Sequence, residues 1–124
     1  MSRLMSVSLT EQAVVERRKT VTRRLGWTFL KPGDRLTLCR KVMGRKPGES
    51  LVRLAEVEVV SVRRERLSDM TSEDVPREAV PGTEGWSPVK WSEWYAGKMG
   101  CGVGSEVTRI EWRYLDVTVS EVTG

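Results

Sequence analysis

Leu51 to Val62 is the clearest strand in the chain: Ala55, Val57 and Val59 fall on one side, Glu56 and Glu58 on the other. A period of two marks a β-strand, and one apolar face opposite a charged one marks a half-solvated sheet. Strands of this kind suit antiparallel pairing better than a parallel sheet covered on both faces. Leu36 and Leu38 alternate with Arg35 and Thr37 behind the turn Lys31-Pro32-Gly33-Asp34. That pattern predicts a strand with one buried face and Cys39 on the opposite one. Glu106 to Tyr114 alternates again, with Ile110, Trp112 and Tyr114 in phase, and then slips by one to Leu115, Val117 and Val119. A bulge near Tyr114 and Leu115, or a change of strand partner, is expected there. Leu4 to Leu9 reads as a short strand, and Gly44 to Gly48 as a polar hairpin loop.

Helices are expected in three places. Thr10 is placed to cap a helix over Glu11 to Arg17, whose few apolar residues, Ala13, Val14 and Val15, leave its stability to docking. Thr71 to Asp74 is an acidic helix start, kept short by Pro76 and Pro81. Ser87 and Pro88 read as a cap and first helical residue, opening a helix to about Met99. Trp91, Trp94, Tyr95 and Lys98 recur along it at helical spacing, forming a stripe that is either core packing or a platform for a base. Gly100, Gly102 and Gly104 end it without the Lys-Ser or Lys-Thr of a phosphate-cradling loop. Strand, helix, strands, two short helices and closing strands describe one α+β domain over residues 1–124, a small curved sheet or barrel. No apolar run nears the roughly 20 residues of a membrane helix, and no signal-peptide core is present, so a cytoplasmic location without membrane association is expected.

Chemistry is bounded by what the sequence omits. It has no histidine, which removes imidazole bases, Ser-His-Asp and Cys-His pairs, and His-bearing zinc sites. Cys39 and Cys101 lie far apart with no CxxC spacing and read as unrelated reduced thiols, and no metal or other cofactor is expected. Basicity is local: setting aside Arg17, Arg18, Lys19, Arg23 and Arg24, the 21 Lys and Arg fall to sixteen, against 17 Asp and Glu. A compact cluster of guanidinium and ammonium donors beside the hydroxyls of Thr20 and Thr22 suits phosphate, unless it is merely a solvated charge run. It predicts an anionic partner, a nucleic acid or nucleotide, bound at a helix-to-strand corner.

The order of that corner goes further. Arg18-Lys19-Thr20-Val21-Thr22-Arg23-Arg24, followed by Lys31-Pro32-Gly33-Asp34, resembles the ASCH family, with Lys19, Thr22 and Arg24 at its Lys, Thr and Arg places. Arg18 departs from it, since Gly or a polar residue often precedes the Lys. Thr71 to Asp74, Glu78 to Gly82, Ser87 to Cys101 and Glu106 to Glu111 are similar to segments of small ASCH proteins of actinobacterial phages. There too Ala79 and Val80 depart, standing where that turn has Gly and Phe.

The resemblance implies a small PUA-like antiparallel β-barrel flanked by short helices, with the Lys-Thr-Arg corner at the mouth of a cleft. The superfamily is tied to RNA and modified nucleosides. In a binding role Arg17, Arg18, Arg23 and Arg24 would hold phosphate, Lys19 and Thr22 would contact base or sugar, and a tryptophan would stack. Certain members hydrolyse acetylcytidine and others are reported as ribonucleases. By that likeness Lys19 and Thr22 would be base and nucleophile, with Glu78 as the acid by the family pattern alone. Arg18 and Arg24 beside Lys19 would push its pKa down, the direction a base requires. A third expectation is a phage product that binds a host protein through Trp86, Trp91 and Trp94.

Overall fold

Most of the alternating segment forms the longest of the described strands, which starts at Arg53 rather than Leu51 and runs on to Arg66. The structure, a computed structural model, describes residues 2–115. Its strands are β1 (Arg3–Ser6), β2 (Val21–Arg24), β3 (Arg35–Cys39), β4 (Arg53–Arg66) and β5 (Glu106–Tyr114), in the sheet order β1-β3-β4-β5-β2. Helices α1 (Glu11–Val15), α2 (Asp74–Glu78) and α3 (Pro88–Met99) join them. The sheet curls into a half-barrel that brings its two edges together, where the Arg24 guanidinium on β2 donates to the Ser6 carbonyl on β1 at 2.9 Å.

β3, β4 and β5 pair antiparallel as expected, and so do β5 and β2, but β1 runs parallel to β3, so the sheet is mixed. β1 and β2 follow one another in the chain yet occupy opposite edges, so α1 carries the chain across the mouth of the curl. Register shifts between Val59 and Ser61, which turns Val60 outward and brings Val62 against the core. A second shift separates Leu38 from Cys39. Cys39 is fully buried along with Thr37, Leu36 and Leu38, so this inner strand is covered on both faces. The outer face of β4 carries cross-strand polar pairs: Thr37 donates to Glu56 at 2.8 Å, and Arg113 pairs with Glu58.

Met5, Val14, Leu36, Val57 and Trp112 belong to the core inside the curl, with Val14 contributed by α1. That helix ends at Val15, short of the expected Arg17, and Thr10 donates to the Val7 carbonyl instead of capping it. A second core, including Leu67, Val75, Trp91 and Val107, seats α2 and α3. Ser87 caps α3 by accepting from the Lys90 amide at 3.1 Å, and Gly100 closes it at φ 72°. The buried face of α3 is Trp91, Ser92, Tyr95 and Ala96; Trp94 is partly buried and Lys98 exposed. No bulge falls at Tyr114 and Leu115, where one was expected: Tyr114 pairs with Val57, and the Leu115 amide donates to the Glu56 carbonyl at 2.9 Å. The register shift lies instead across from Glu111 and Trp112 on β4, while Val117 and Val119 lie outside the described residues. Among those described, no helix is long and apolar enough to cross a membrane.

Candidate functional site

Two chain reversals build the site. Behind α1, Arg17 at φ 63° lets its amide reach the Val14 carbonyl at 3.0 Å and the Arg18 amide reach Ala13 at 2.8 Å. This paired closure throws the chain back across the helix end and delivers Lys19 to the start of β2. The Lys19 carbonyl is pinned there by Trp112 Nε1–H at 2.9 Å and the Tyr114 hydroxyl at 2.5 Å. At the end of α2, Ala79 takes the left-handed conformation, φ 55° and ψ 38°. Glu78, immediately before it, meets Lys19: the ammonium donates to the Glu78 carbonyl at 2.8 Å and to Oε1 at 3.0 Å.

Arg23 is the hub beneath this pair. Its guanidinium donates to Glu78 Oε2 at 3.0 Å, Asp74 Oδ2 at 2.6 Å and, twice, Glu65 Oε2 at 3.1 and 3.0 Å. Arg109 closes the network with two bonds to Asp74, at 2.7 and 3.1 Å. Lys19, Arg23 and Arg109 face Glu65, Asp74 and Glu78, all six buried, so their formal charges cancel. Removing one member of such a network leaves a buried charge without its partner, a loss on the order of 3–5 kcal/mol.

Protonation follows the surroundings. Burial pushes the Lys19 ammonium below its ordinary value, opposed by Glu78 and reinforced by Arg24 and Arg23. Burial would raise Asp74, but bonds from Arg109 and Arg23 outweigh it and hold the carboxyl at about 2. Tyr95, which donates to the Arg23 carbonyl at 2.9 Å, is pushed up to about 12 by burial and by the Glu78 charge.

Above the network opens a cleft of about 290 Å³. Lys19, Thr22, Arg24 and Glu78 line its polar side, and Leu9, Trp94 and Tyr95 contribute to its apolar walls. The Thr22 hydroxyl accepts from Arg24 Nε at 3.2 Å, while the two acceptors of the Lys19 ammonium both belong to Glu78. Arg24 is half-buried, with no carboxylate partner among the described residues, and burial lowers its pKa. Lys98, exposed at the rim, likewise pairs with no described carboxylate. Trp91, fully buried and also part of the wall, has an indole N–H without an acceptor among the described residues.

The linear cluster therefore disperses. Lys19, Thr22, Arg24 and Glu78 come together at the cleft. Arg23 also reaches the cleft wall, but its side chain is fully buried and bound to three carboxylates rather than presented to a phosphate. Arg18 lies outside the cleft and pairs with Glu16 at 2.6 Å, while Arg17 lies 5.7 Å from the Tyr114 ring centre. Sequence reasoning missed Asp74, Glu65, Arg109 and Tyr95 as supports. One signal was available: Asp74 and Glu78 are four residues apart, a spacing that puts two carboxylates on one helical face. Among the described residues no group of His, Cys, Asp and Glu is arranged to hold a metal ion.

No protein-family model matches the sequence, and no curated protein matches it. Solved structures do match its fold. Protein EF3133 of Enterococcus faecalis V583, of family model DUF984, aligns over 100% of this chain and 82% of its own at 13% identity, with a TM-score of 0.64. The hypothetical protein PH0355 aligns over 93% of this chain and 100% of its own at 18% identity, TM-score 0.61. An ASCH domain from Lactobacillus crispatus JV V101 aligns over 91% of this chain and 79% of its own at 11% identity, TM-score 0.59. The curled mixed sheet with its short helices is an ASCH-like α+β fold.

Proposed function

We propose that the protein binds RNA or a free nucleotide by taking one nucleotide unit into the cleft. The observation that carries this reading is Arg24, a half-buried guanidinium without a described carboxylate partner, beside the Thr22 hydroxyl and the rings of Tyr95 and Trp94. A desolvated guanidinium is a strong phosphate donor, and the aromatic walls offer a base an apolar seat. A cavity of about 290 Å³ admits one such unit and excludes a folded helix of RNA. The ASCH resemblance of the Lys19-Thr22-Arg24 motif points to the same ligand class. Calorimetric titration with ribonucleoside monophosphates tests it: Arg24→Ala should weaken binding by about tenfold or more, the worth of a charged hydrogen bond. Unchanged affinity in that variant would remove the phosphate role. A host-protein partner is less well supported, because Trp91 is fully buried and Trp86 and Trp94 are partly packed.

A second reading is favoured by the convergence of Lys19, Thr22 and Glu78 on one cleft. In it a neutral Lys19 takes the Thr22 proton as Oγ1 bonds to the acyl carbon of an acylated nucleoside. The carbon–nitrogen bond then breaks, the proton passes to the leaving amine, and water hydrolyses the threonine ester. Lys19 would first have to release Glu78, which its burial assists. The test is loss of acetylcytidine absorbance, abolished in Thr22→Val and Lys19→Ala. No turnover over hours at high protein concentration would reject hydrolysis of that substrate.

A further inference from the structure

A second cavity, about 470 Å³, lies against the cleft. Val80 lines both, so the turn that follows Glu78 is the partition between them. The aromatic walls are also continuous. Trp86, in the second cavity, meets Trp94 of the cleft edge-on at 6.2 Å; Trp94 meets Trp91 at 5.6 Å, and Trp91 stacks on Tyr95 at 5.3 Å. Four aromatic rings thus run from one cavity into the other.

The second cavity has the furniture of a stacking site. Trp86 is half-buried, and the Lys90 ammonium sits 4.4 Å from its ring centre. Arg18, 55% exposed at its side chain, lies on the cavity wall; its Nε meets Glu16, leaving the terminal guanidinium nitrogens without a described bond. Glu84, also on the wall and exposed, is an acceptor suited to the amino group of a base. Pro76 and Ala79 make part of the remaining surface apolar.

We infer that the two cavities are adjacent subsites for successive nucleotides of a single strand, with the second base on Trp86 and its phosphate within reach of Arg18. This rests on the reading of the cleft as a nucleotide site and goes beyond it by making a strand, not a monomer, the preferred ligand. A single strand suits the geometry because its bases can be splayed to either side of a ridge such as Val80. Aromatic stacking is tolerant of base identity, so the second subsite should add affinity more than sequence preference.

The test compares common nucleoside monophosphates with mixed-sequence dinucleotides, in ribo and deoxyribo form, by calorimetry on the whole chain. The dinucleotide should bind at least about fivefold tighter than the best monophosphate, the lower limit of what one stacked base contributes. Trp86→Ala should remove that increment, the dinucleotide then binding no tighter than the best monophosphate to the same variant. Arg18→Ala, at an exposed position, should reduce the increment and supplies the test if loss of Trp86 unfolds the protein. If monophosphates bind and dinucleotides gain nothing, or the gain survives both substitutions, the second subsite is overturned while the cleft reading stands. Failure of every ligand to bind would overturn both. The two sugar series show whether the increment needs a 2′-hydroxyl.

Discussion

Ala79 occupies a conformation that favours glycine, at φ 55°, between the Glu78 that faces Lys19 and the Val80 that divides the cavities. A β-carbon in the left-handed region costs about 1–2 kcal/mol, partly offset by the greater freedom that glycine has when unfolded. Ala79→Gly should therefore stabilise the fold by about 1 kcal/mol in denaturant unfolding, and a loss of stability would show that the alanine methyl packs productively. The resemblance had flagged this place, since similar turns carry Gly there, but the strain itself shows only in the backbone. Asp74 makes the opposite point. Nothing in its local sequence announces that Arg23 and Arg109, far along the chain, converge on it. Its folded pKa of about 2 lies below the 3.8 of an unperturbed aspartate, so its contribution is complete above about pH 4 and is lost as pH falls through about 2. The difference is worth roughly 2 kcal/mol, at about 1.4 kcal/mol per pH unit. Unfolding free energies measured from neutral to strongly acid pH should fall in that window, and Asp74→Asn, already weakened, should lose that part of the fall.

Elements with their own punctuation were the legible ones. α3 begins and ends where Ser87, Pro88 and Gly100 say it should, because cap, first residue and left-handed closure are all local. Ser87→Ala should cost about 1 kcal/mol, read as a lower denaturation midpoint, since the Lys90 amide would lose its side-chain acceptor. No change would mean that water replaces that acceptor fully. α1 ran shorter than its pattern because the closure at Arg17 uses a residue type that does not advertise a left-handed turn. β4 runs past Val62 to Arg66 because Arg63 to Arg66 pair with Glu106 to Arg109, across a register shift that breaks simple alternation. The parallel pairing of β1 with β3 could not be read from either strand alone, since it depends on where the whole sheet curls.

For the whole molecule the question is which of the clustered charges reach a ligand. The sequence shows five cations within eight positions, whereas the fold buries Lys19 and Arg23 against carboxylates and turns Arg17 away toward Tyr114. Arg24 and Lys98 remain at the cleft, and Arg18 at the second cavity. Lys98 was visible in the sequence only as part of an aromatic stripe, because its relation to β2 exists only once α3 has docked. Salt dependence separates these pictures. For a single strand each neutralised phosphate contributes about −0.7 to the slope of log K against log salt concentration. Contacts from Arg24 and Lys98 alone give a slope of about −1.4, and the addition of Arg18 about −2, whereas all five clustered cations would give about −3.5. Binding of a short RNA strand measured across a salt series should therefore fall between the two shallower values. Lys98→Ala should flatten it by about 0.7, and Arg17→Ala should leave it unchanged. A slope near the steepest value would mean that the ligand draws Lys19 and Arg23 out of their carboxylate network.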